Sequence, residues 1–532
     1  MSPPGSGVTE AGPELPHAGP AARSIAVRLA ITCWLVYGLH FATNMVRENY
    51  LALAIGERLS FRVDAYANLH DDIFEHPGFG WHIGSNPGAS MVGAIPYALS
   101  RPLIDRVVAA VQRSRAGTVA PPEYRAPTDK DRRFFEEAWR RGLDVRFGLA
   151  SFVMQTLGMA VVSALGVVAM FLLLRSLLPP GTALALALLY AFGTPVFLRT
   201  GFLNHNLMLG HAGLAGFAIL WDPRPGRSAP LDRRFLLGGL AGGVGVLMDY
   251  SGFLLLAGLW LYGMTVAGRA TGRGRRARLS AAYALGAAGP LLLLWFYQWR
   301  AFGHPFLPPQ HWMPPVEWSD RGYQGVGAPQ PGLAAALAFD YRYGLFVSCP
   351  LFLLAVAAPF VPRNKSFLPR RELMACLALS LAFLVFFSAV NYTRWQFNTG
   401  VRYLAPTFPF LFLAAAVVLH RLPRGLARPV VAASVALAWC MAMARDVSGG
   451  KVDLADPDTG LGVLDPVLRV VTGGFQLPAL TTISRMEPWA SDLGGHVSAL
   501  PLMSLTAVII FLIWRRPGAR SAGAVPRPPV DE

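Results

Sequence analysis

The sequence predicts an all-α polytopic membrane protein with about a dozen spanning helices. Three observations carry that expectation. Hydrophobic residues make up 53% of the 532-residue chain, and the mean hydropathy is +0.41. Only 15% of the residues are charged, against about 25% in soluble proteins, and these charges cluster between apolar runs. The runs are continuous and close to the roughly 20 residues that a hydrocarbon core demands. In that core every backbone N–H and C=O needs an internal partner, which a helix supplies; a closed barrel would show short alternating strands instead.

Taken in order, spans are expected near 25–44, 149–174, 181–199, 204–221, 235–249, 251–267, 280–298, 343–361, 373–390, 403–420, 429–445 and 497–514. The pair at 235–267 reads either as one long tilted helix or as two short ones meeting at Asp249-Tyr250. Residues 1–22 are rich in Pro and Gly and are expected to be disordered and cytoplasmic. The apolar run after them contains Arg28 and lacks a clear small-residue cleavage site, which fits a retained first helix better than a removed signal peptide.

Basic residues set the orientation. Arg224, Arg227, Arg233 and Arg234 lie in one connection, and Arg269, Arg273, Arg275, Arg276 and Arg278 in another. Arg363, Lys365, Arg370 and Arg371 form a third group, Arg421, Arg424 and Arg428 a fourth, and Arg515 and Arg516 follow the last span. Counting from a cytoplasmic N-terminus places all five groups inside, as the positive-inside rule requires. This distribution also explains the formal net charge of +16 without invoking nucleic acid. The cysteines Cys33, Cys349, Cys376 and Cys440 all fall in apolar runs and read as small core residues.

The other side then receives the long loops, about 45–148, 299–342, 391–402 and 446–496. The first is too long to be a connector. Its apolar stretch Ala89–Leu99 is too short to span and fits a helix lying in the interface. The part from Arg101 to Arg146 mixes both charge signs with helix formers and is expected to be helical outside the membrane. The domain plan is thus 1–22, a catalytic or transport region 23–445, an outer loop with the last helix at 446–514, and a cytoplasmic tail 515–532.

Several polar groups stand at the outer ends of helices. Glu48 follows the first span; a carboxylate held at the bilayer surface can act as general base toward a hydroxyl, or it can cap the next helix or pair with Arg47. Asp64, His70, Asp71, Asp72, Glu75, His76 and His82 follow. Their spacing matches no zinc pattern, so solvated loop histidines are favoured over a metal site built on His70, Asp71 and His76. Asp249 lies in an apolar stretch, where a carboxylate raises a functional suspicion against the plainer reading of a structural hydrogen bond. Arg402 begins the tenth span and can hold a phosphate bidentately or snorkel to headgroups; Arg342 is placed similarly. Trp395 and Tyr403 suit the interfacial aromatic belt.

These stretches, in this order, resemble the GT-C membrane glycosyltransferases of the protein-mannosyltransferase and aminoarabinose-transferase type. Arg47-Glu48-Asn49-Tyr50-Leu-Ala-Leu-Ala54 is similar to the acidic motif after the family's first helix. Asn86-Pro87-Gly88 corresponds to its Pro-Gly element. Phe192-Gly193-Thr194-Pro195-Val196-Phe197, Asn204-His205, Phe302-Gly303-His304-Pro305-Phe306, Arg342-Tyr343-Gly344-Leu345-Phe346 and Gly400-Val401-Arg402-Tyr403-Leu404-Ala-Pro406 resemble further elements of its bacterial relatives. Many members carry an Asp-Glu pair where this chain has Arg47-Glu48. The acid that carries over is Glu48; if the family's acid is the first of the pair, Asp64, Asp71 or Asp72 would have to serve.

The resemblance implies a GT-C bundle in a bacterial inner membrane, with its active site on the extracytoplasmic side. It implies an inverting hexosyl- or pentosyltransferase, for which no cofactor is expected. A polyprenyl-phosphate-linked sugar would be the donor, and a glycan, lipid or protein hydroxyl the acceptor. Glu48 would be the base, and one carboxylate can suffice because a phosphate leaving group needs no proton, unlike the two-carboxylate case. Arg402 and then Arg342 would take the lipid phosphate in a water-poor site, with Tyr403, Asn86, His205 and Tyr50 as further substrate-binding candidates. The rival readings are a transporter or lipid-linked glycan flippase, which would show repeats and midplane polar groups, and a polysaccharide ligase or polymerase.

Overall fold

The structure is a computed structural model. It describes residues 20–42, 45–117, 121, 123–124, 129–224, 228–268, 270–316, 319, 322–397, 402–444, 451–453, 461–480 and 499–515. Most of the expected disordered N-terminus, the tail after Arg515, Gly400-Val401 and much of the 446–496 loop lie outside these residues.

Each expected span contains helix. The elements are α1 (Pro20–Leu39), α2 (Arg47–Arg58), the hairpin β1 (Ile73–His76) and β2 (Gly80–Ile83), α3 (Gly88–Ser114) and α4 (Asp129–Arg140). Then come α5 (Asp144–Arg175), α6 (Pro180–Phe192), α7 (His205–Trp221), α8 (Leu231–Met248), α9 (Gly252–Ala267) and α10 (Arg273–Phe302). The chain continues through α11 (Pro331–Phe339), α12 (Pro350–Phe360), α13 (Arg370–Ser388), α14 (Ala405–Leu419), α15 (Arg424–Met443), α16 (Leu464–Gly473) and α17 (Leu500–Trp514). A second small antiparallel pair joins Trp395–Phe397 to Lys451–Asp453.

Among the described residues, 4 helices are long and apolar enough to cross a membrane by themselves: α5, α10, α13 and α15. Shorter apolar helices are α6, α9, α12, α14 and α17. Their outward faces carry large exposed apolar side chains, including Leu285, Leu292 and Phe296 on α10, Leu381 and Val385 on α13, and Leu505, Val508 and Phe511 on α17. Apolar surface on that scale belongs against hydrocarbon rather than water. α14 is different. It is buried all round from Phe408 to Leu419, as expected of a helix with no polar face.

Three details refine the sequence reading. The 235–267 stretch is two helices, broken where Asp249 adopts an extended backbone after Met248. The span near 181–199 stops at Phe192, because Gly193-Thr194-Pro195 interrupts it before the single turn Val196–Arg199. The Ala89–Leu99 segment does not end at Leu99: α3 runs on to Ser114 through Pro96 and Pro102. It packs against α2 and leaves Ile95, Leu99 and Leu103 exposed at the four-residue spacing of one helical face.

α8 packs most closely on α10. A Cβ at Gly239 would overlap the Tyr283 carbonyl, one at Gly286 would overlap the Leu236 carbonyl, and one at Gly243 would lie 2.8 Å from the Ala287 oxygen. Small residues let the two backbones approach, as in other membrane helix pairs. Gly286→Ala should therefore lower the melting temperature of the detergent-solubilised protein, at an overpacking cost of about 1–3 kcal/mol. Gly289→Ala is the control on the same helix: nothing lies within 4 Å of its Cβ position, and it should leave the melting temperature unchanged or raise it.

Candidate active site

The polar groups expected at helix ends converge at one end of the bundle, where α2 and α7 begin and α8 gives way to α9. Glu48 sits in the first turn of α2. The N-cap, Val46, offers no side-chain acceptor, and the positive end of the helix dipole favours a carboxylate there. Glu48 is buried, with 3% of its surface exposed, and its Oε1 accepts from Arg47 Nε at 3.2 Å. The Arg47 guanidinium also donates to Asp72 Oδ2 at 3.2 Å, so one cation bridges two carboxylates.

His205 opens α7. Asn204 caps that helix by accepting from the Leu207 N–H at 2.9 Å, which fixes the direction in which the next residue projects. His205 Nδ1 lies 2.9 Å from Glu48 Oε1. On the far side of the ring, Nε2 lies 3.9 Å from Asp249 Oδ2. Asp249 is held by a local turn: its Oδ1 accepts from the backbone N–H of Ser251 at 2.8 Å and from the Ser251 hydroxyl at 2.6 Å. Asp side chains commonly stabilise turns in this way, and here the turn ends α8.

Behind this row stand the other charged groups. Burial raises the Tyr392 phenol well above its usual value; the Asp249 carboxylate adds to that, while Arg47 and Arg402 oppose it. Burial would also raise the carboxyls of Glu48 and Asp72. Arg47 and His205 together outweigh it at Glu48, as Arg47, His70 and Arg402 together do at Asp72, and both carboxyls are held below the usual carboxylate range. Arg402 stacks its guanidinium 4.5 Å from the centre of the Tyr403 ring and donates to the Tyr403 hydroxyl. Arg47, Glu48, Asp72, His205, Asp249 and Arg402 thus share one charged neighbourhood.

The remaining candidates lie around or away from it. Tyr50 is fully buried, donates to the Leu69 carbonyl at 3.2 Å and packs beneath the loop that carries Asp72. Asn86 donates to the Val246 carbonyl at 2.7 Å, tying the Pro-Gly element to the end of α8. Asp64 pairs with Arg62 at 2.9 Å and accepts from the Trp81 N–H at 2.9 Å; with Glu57, Arg58 and Tyr66 it lines a separate cavity of about 280 Å³. Asp71 is exposed and pairs with Lys130. Arg342 is buried in a two-bond pair with Asp340, at 3.2 and 3.1 Å, and faces Tyr341 and Tyr343.

The loop histidines are not simply solvated. His82 is fully buried between the carbonyls of Phe61 and Phe79, at 3.2 and 3.1 Å. His70 Nδ1 accepts from the Asp72 N–H at 3.0 Å, and the His76 ring packs at a tilt against Trp312, 4.6 Å between ring centres. Among the described residues, no group of three His, Cys, Asp or Glu side chains is placed to hold a metal ion. The relation that sequence reasoning missed is the one between His205 and Asp249: each was marked, but nothing in a linear pattern pairs them across a single imidazole.

Neither a family model nor a curated protein sequence matches the chain. Solved structures do. ArnT from Cupriavidus metallidurans in the apo state is similar over 93% of this chain and 76% of its own, at 17% identity and a TM-score of 0.50. The same protein bound to undecaprenyl phosphate matches over the same shares, at 16% identity and a TM-score of 0.47. The Archaeoglobus fulgidus oligosaccharyltransferase tethered with an acceptor peptide matches 89% of this chain and 58% of its own, at 14% identity and a TM-score of 0.43. Both neighbours are GT-C proteins, and the likeness to apo ArnT is a likeness of fold.

The charge arrangement predicts how stability depends on pH. Unfolded Glu and Asp carboxyls titrate near about 4.3 and 3.9, and Glu48 and Asp72 lie lower in the folded chain. The folded state then binds fewer protons, so this stabilisation is fully present above about pH 5 and is lost as the pH falls below about 4. The melting temperature of the solubilised protein should drop between pH 6 and pH 3.5, and Glu48→Gln should flatten that drop.

Proposed function

We propose that this chain is a multi-pass membrane glycosyltransferase of the GT-C type, moving a sugar from a polyprenyl-phosphate-linked donor to a hydroxyl acceptor. The observation that carries the reading is the charged row at one end of the bundle, where Glu48, His205 and Asp249 meet Arg47 and Arg402. The fold shared with apo ArnT supports it, and undecaprenyl phosphate, to which ArnT has been seen bound, has the chemistry of the spent donor. In this reading about a dozen helices span a bacterial inner membrane. The basic loops face the cytoplasm, and the row opens on the extracytoplasmic side, within the 23–445 region.

The reaction needs two things of the protein. The acceptor oxygen must lose its proton as it attacks the anomeric carbon, and the Glu48–His205 pair supplies that base function. The leaving lipid phosphate carries its own negative charge and needs fixed positive charge rather than a proton. Arg402 supplies it, with Tyr403 holding the guanidinium in place. A single displacement inverts the anomeric centre. A transporter would place its polar groups at the midplane on broken helices; here they lie at helix ends, which favours chemistry at a surface.

Membranes carrying the protein should convert radiolabelled undecaprenyl-phosphate hexoses or pentoses to undecaprenyl phosphate and a glycoside. Glu48→Gln should reduce kcat by about 100-fold or more, the usual scale for losing acid–base assistance. Arg402→Ala should reduce turnover far more than Arg394→Ala. Full activity in Glu48→Gln at normal expression would remove Glu48 from the reaction, and equal small effects of the two arginine variants would move the phosphate site elsewhere.

A further inference from the structure

The row Glu48, His205, Asp249 has a direction. Side-chain exposure rises along it, from 4% at Glu48 through 16% at His205 to 26% at Asp249. An acceptor hydroxyl arriving from outside therefore meets the Asp249 end first. Glu48 Oε1 is already engaged by Arg47 Nε and His205 Nδ1, and the side chain is walled in. By contrast the 3.9 Å between His205 Nε2 and Asp249 Oδ2 is too long for a hydrogen bond. A hydroxyl entering this gap can direct its proton to Nε2.

We infer that the atom taking the acceptor's proton is Nε2 of His205, that Glu48 sets the tautomer of the ring, and that Asp249, 3.9 Å from Nε2, stabilises the positive charge the ring acquires. This rests on the glycosyltransferase reading above and deepens it. An ionised carboxylate only accepts hydrogen bonds, so Glu48 requires the proton of a neutral His205 on Nδ1. That leaves the Nε2 lone pair facing the gap. The same logic makes a buried carboxylate orient a histidine base in hydrolytic triads, where the carboxylate itself does not take the proton.

The step balances. The acceptor oxygen forms a bond to the anomeric carbon as its proton passes to Nε2. The bond from that carbon to the phosphate oxygen breaks, and the electron pair leaves with the lipid phosphate. The imidazolium that results lies between two carboxylates, Glu48 and Asp249, and returns its proton to water from the more exposed Asp249 side. Nε2 of His205 touches the acceptor in this scheme, while Glu48 and Asp249 act through the ring.

Chemical rescue separates the two possible bases. With undecaprenyl-phosphate mannose as the probe donor and release of undecaprenyl phosphate as the readout, His205→Ala should lose about 100-fold or more in kcat with KM little changed. Added imidazole should restore at least a tenth of the parental rate, and substituted imidazoles should follow their basicity. His205→Gln keeps a hydrogen bond to Glu48 without a base; if the alanine variant fails to fold, its loss of kcat at an unchanged melting temperature carries the same result. Formate added to Glu48→Ala should restore nothing. Rescue of Glu48→Ala by formate, or a His205→Gln enzyme within tenfold of the parent, would return the base to Glu48 and leave the transferase reading intact. No release by the parent enzyme from any lipid-linked sugar would overturn that reading itself.

Discussion

A chain that faces hydrocarbon must close its backbone hydrogen bonds within its own helices, so polar chemistry can collect only where helices end. This constraint shapes the whole molecule. The long and short apolar helices present leucine, valine and phenylalanine outward, while the charged row forms where α2 and α7 start and α8 stops. Those ends are made by ordinary local devices: an uncapped first turn at Arg47–Glu48, an asparagine cap before His205, and an aspartate turn at Asp249. Each device leaves one side chain projecting beyond the helix, and the three side chains meet.

Burying Glu48 in such a place is costly unless its charge is balanced. An isolated carboxylate removed from water would be neutralised rather than tolerated. Arg47 pairs with it, His205 donates to it, and the start of α2 contributes the positive end of a helix dipole. Arg47 is shared with Asp72, so removing any one member leaves another uncompensated, the situation in which breaking a buried pair is most damaging. Arg47 is the cation that keeps Glu48 ionised, and a second carboxylate arrives on it from Asp72.

Much of this was legible in the sequence. The apolar runs locate helices, and a break at Asp249-Tyr250 is one of two readings of its stretch, whereas the expected 181–199 span runs through the break at Gly193-Thr194-Pro195. Glu48, Asp249 and Arg402 stand out as polar residues at the ends of apolar runs, whereas His205 is marked only by the resemblance. What the sequence conceals is pairing across distance. Asn86 reads as a substrate ligand in a loop, and its Nδ2 also ties that loop to the Val246 carbonyl 160 residues away. Arg342 reads as a phosphate site at a helix entrance, yet the aspartate two residues before it takes the guanidinium. A helix was legible in Ala89–Leu99, but not its continuation to Ser114, because Pro96 and Pro102 look like helix stops when neighbours that can absorb them are unseen.

The same long-range packing connects the middle of the membrane bundle to the chemistry at its end. Glycines bring α8 against α10 with carbonyls in place of side chains at the seam, and this sets how far α8 reaches before Asp249 turns the chain. At that point the Asn86-Pro87-Gly88 element closes on α8 from the other side: a Cβ at Gly88 would lie 2.6 Å from the Leu247 carbonyl, one residue beyond the carbonyl that Asn86 holds. Asp249 is therefore located by two contacts that never touch it. Its separation from His205 decides whether a hydroxyl fits between them, and reacting groups lose about 100-fold when displaced by roughly 1 Å. The Pro-Gly element, which resembles a substrate loop in sequence, thus acts as the clamp that gives the Asp249 end of the row its geometry.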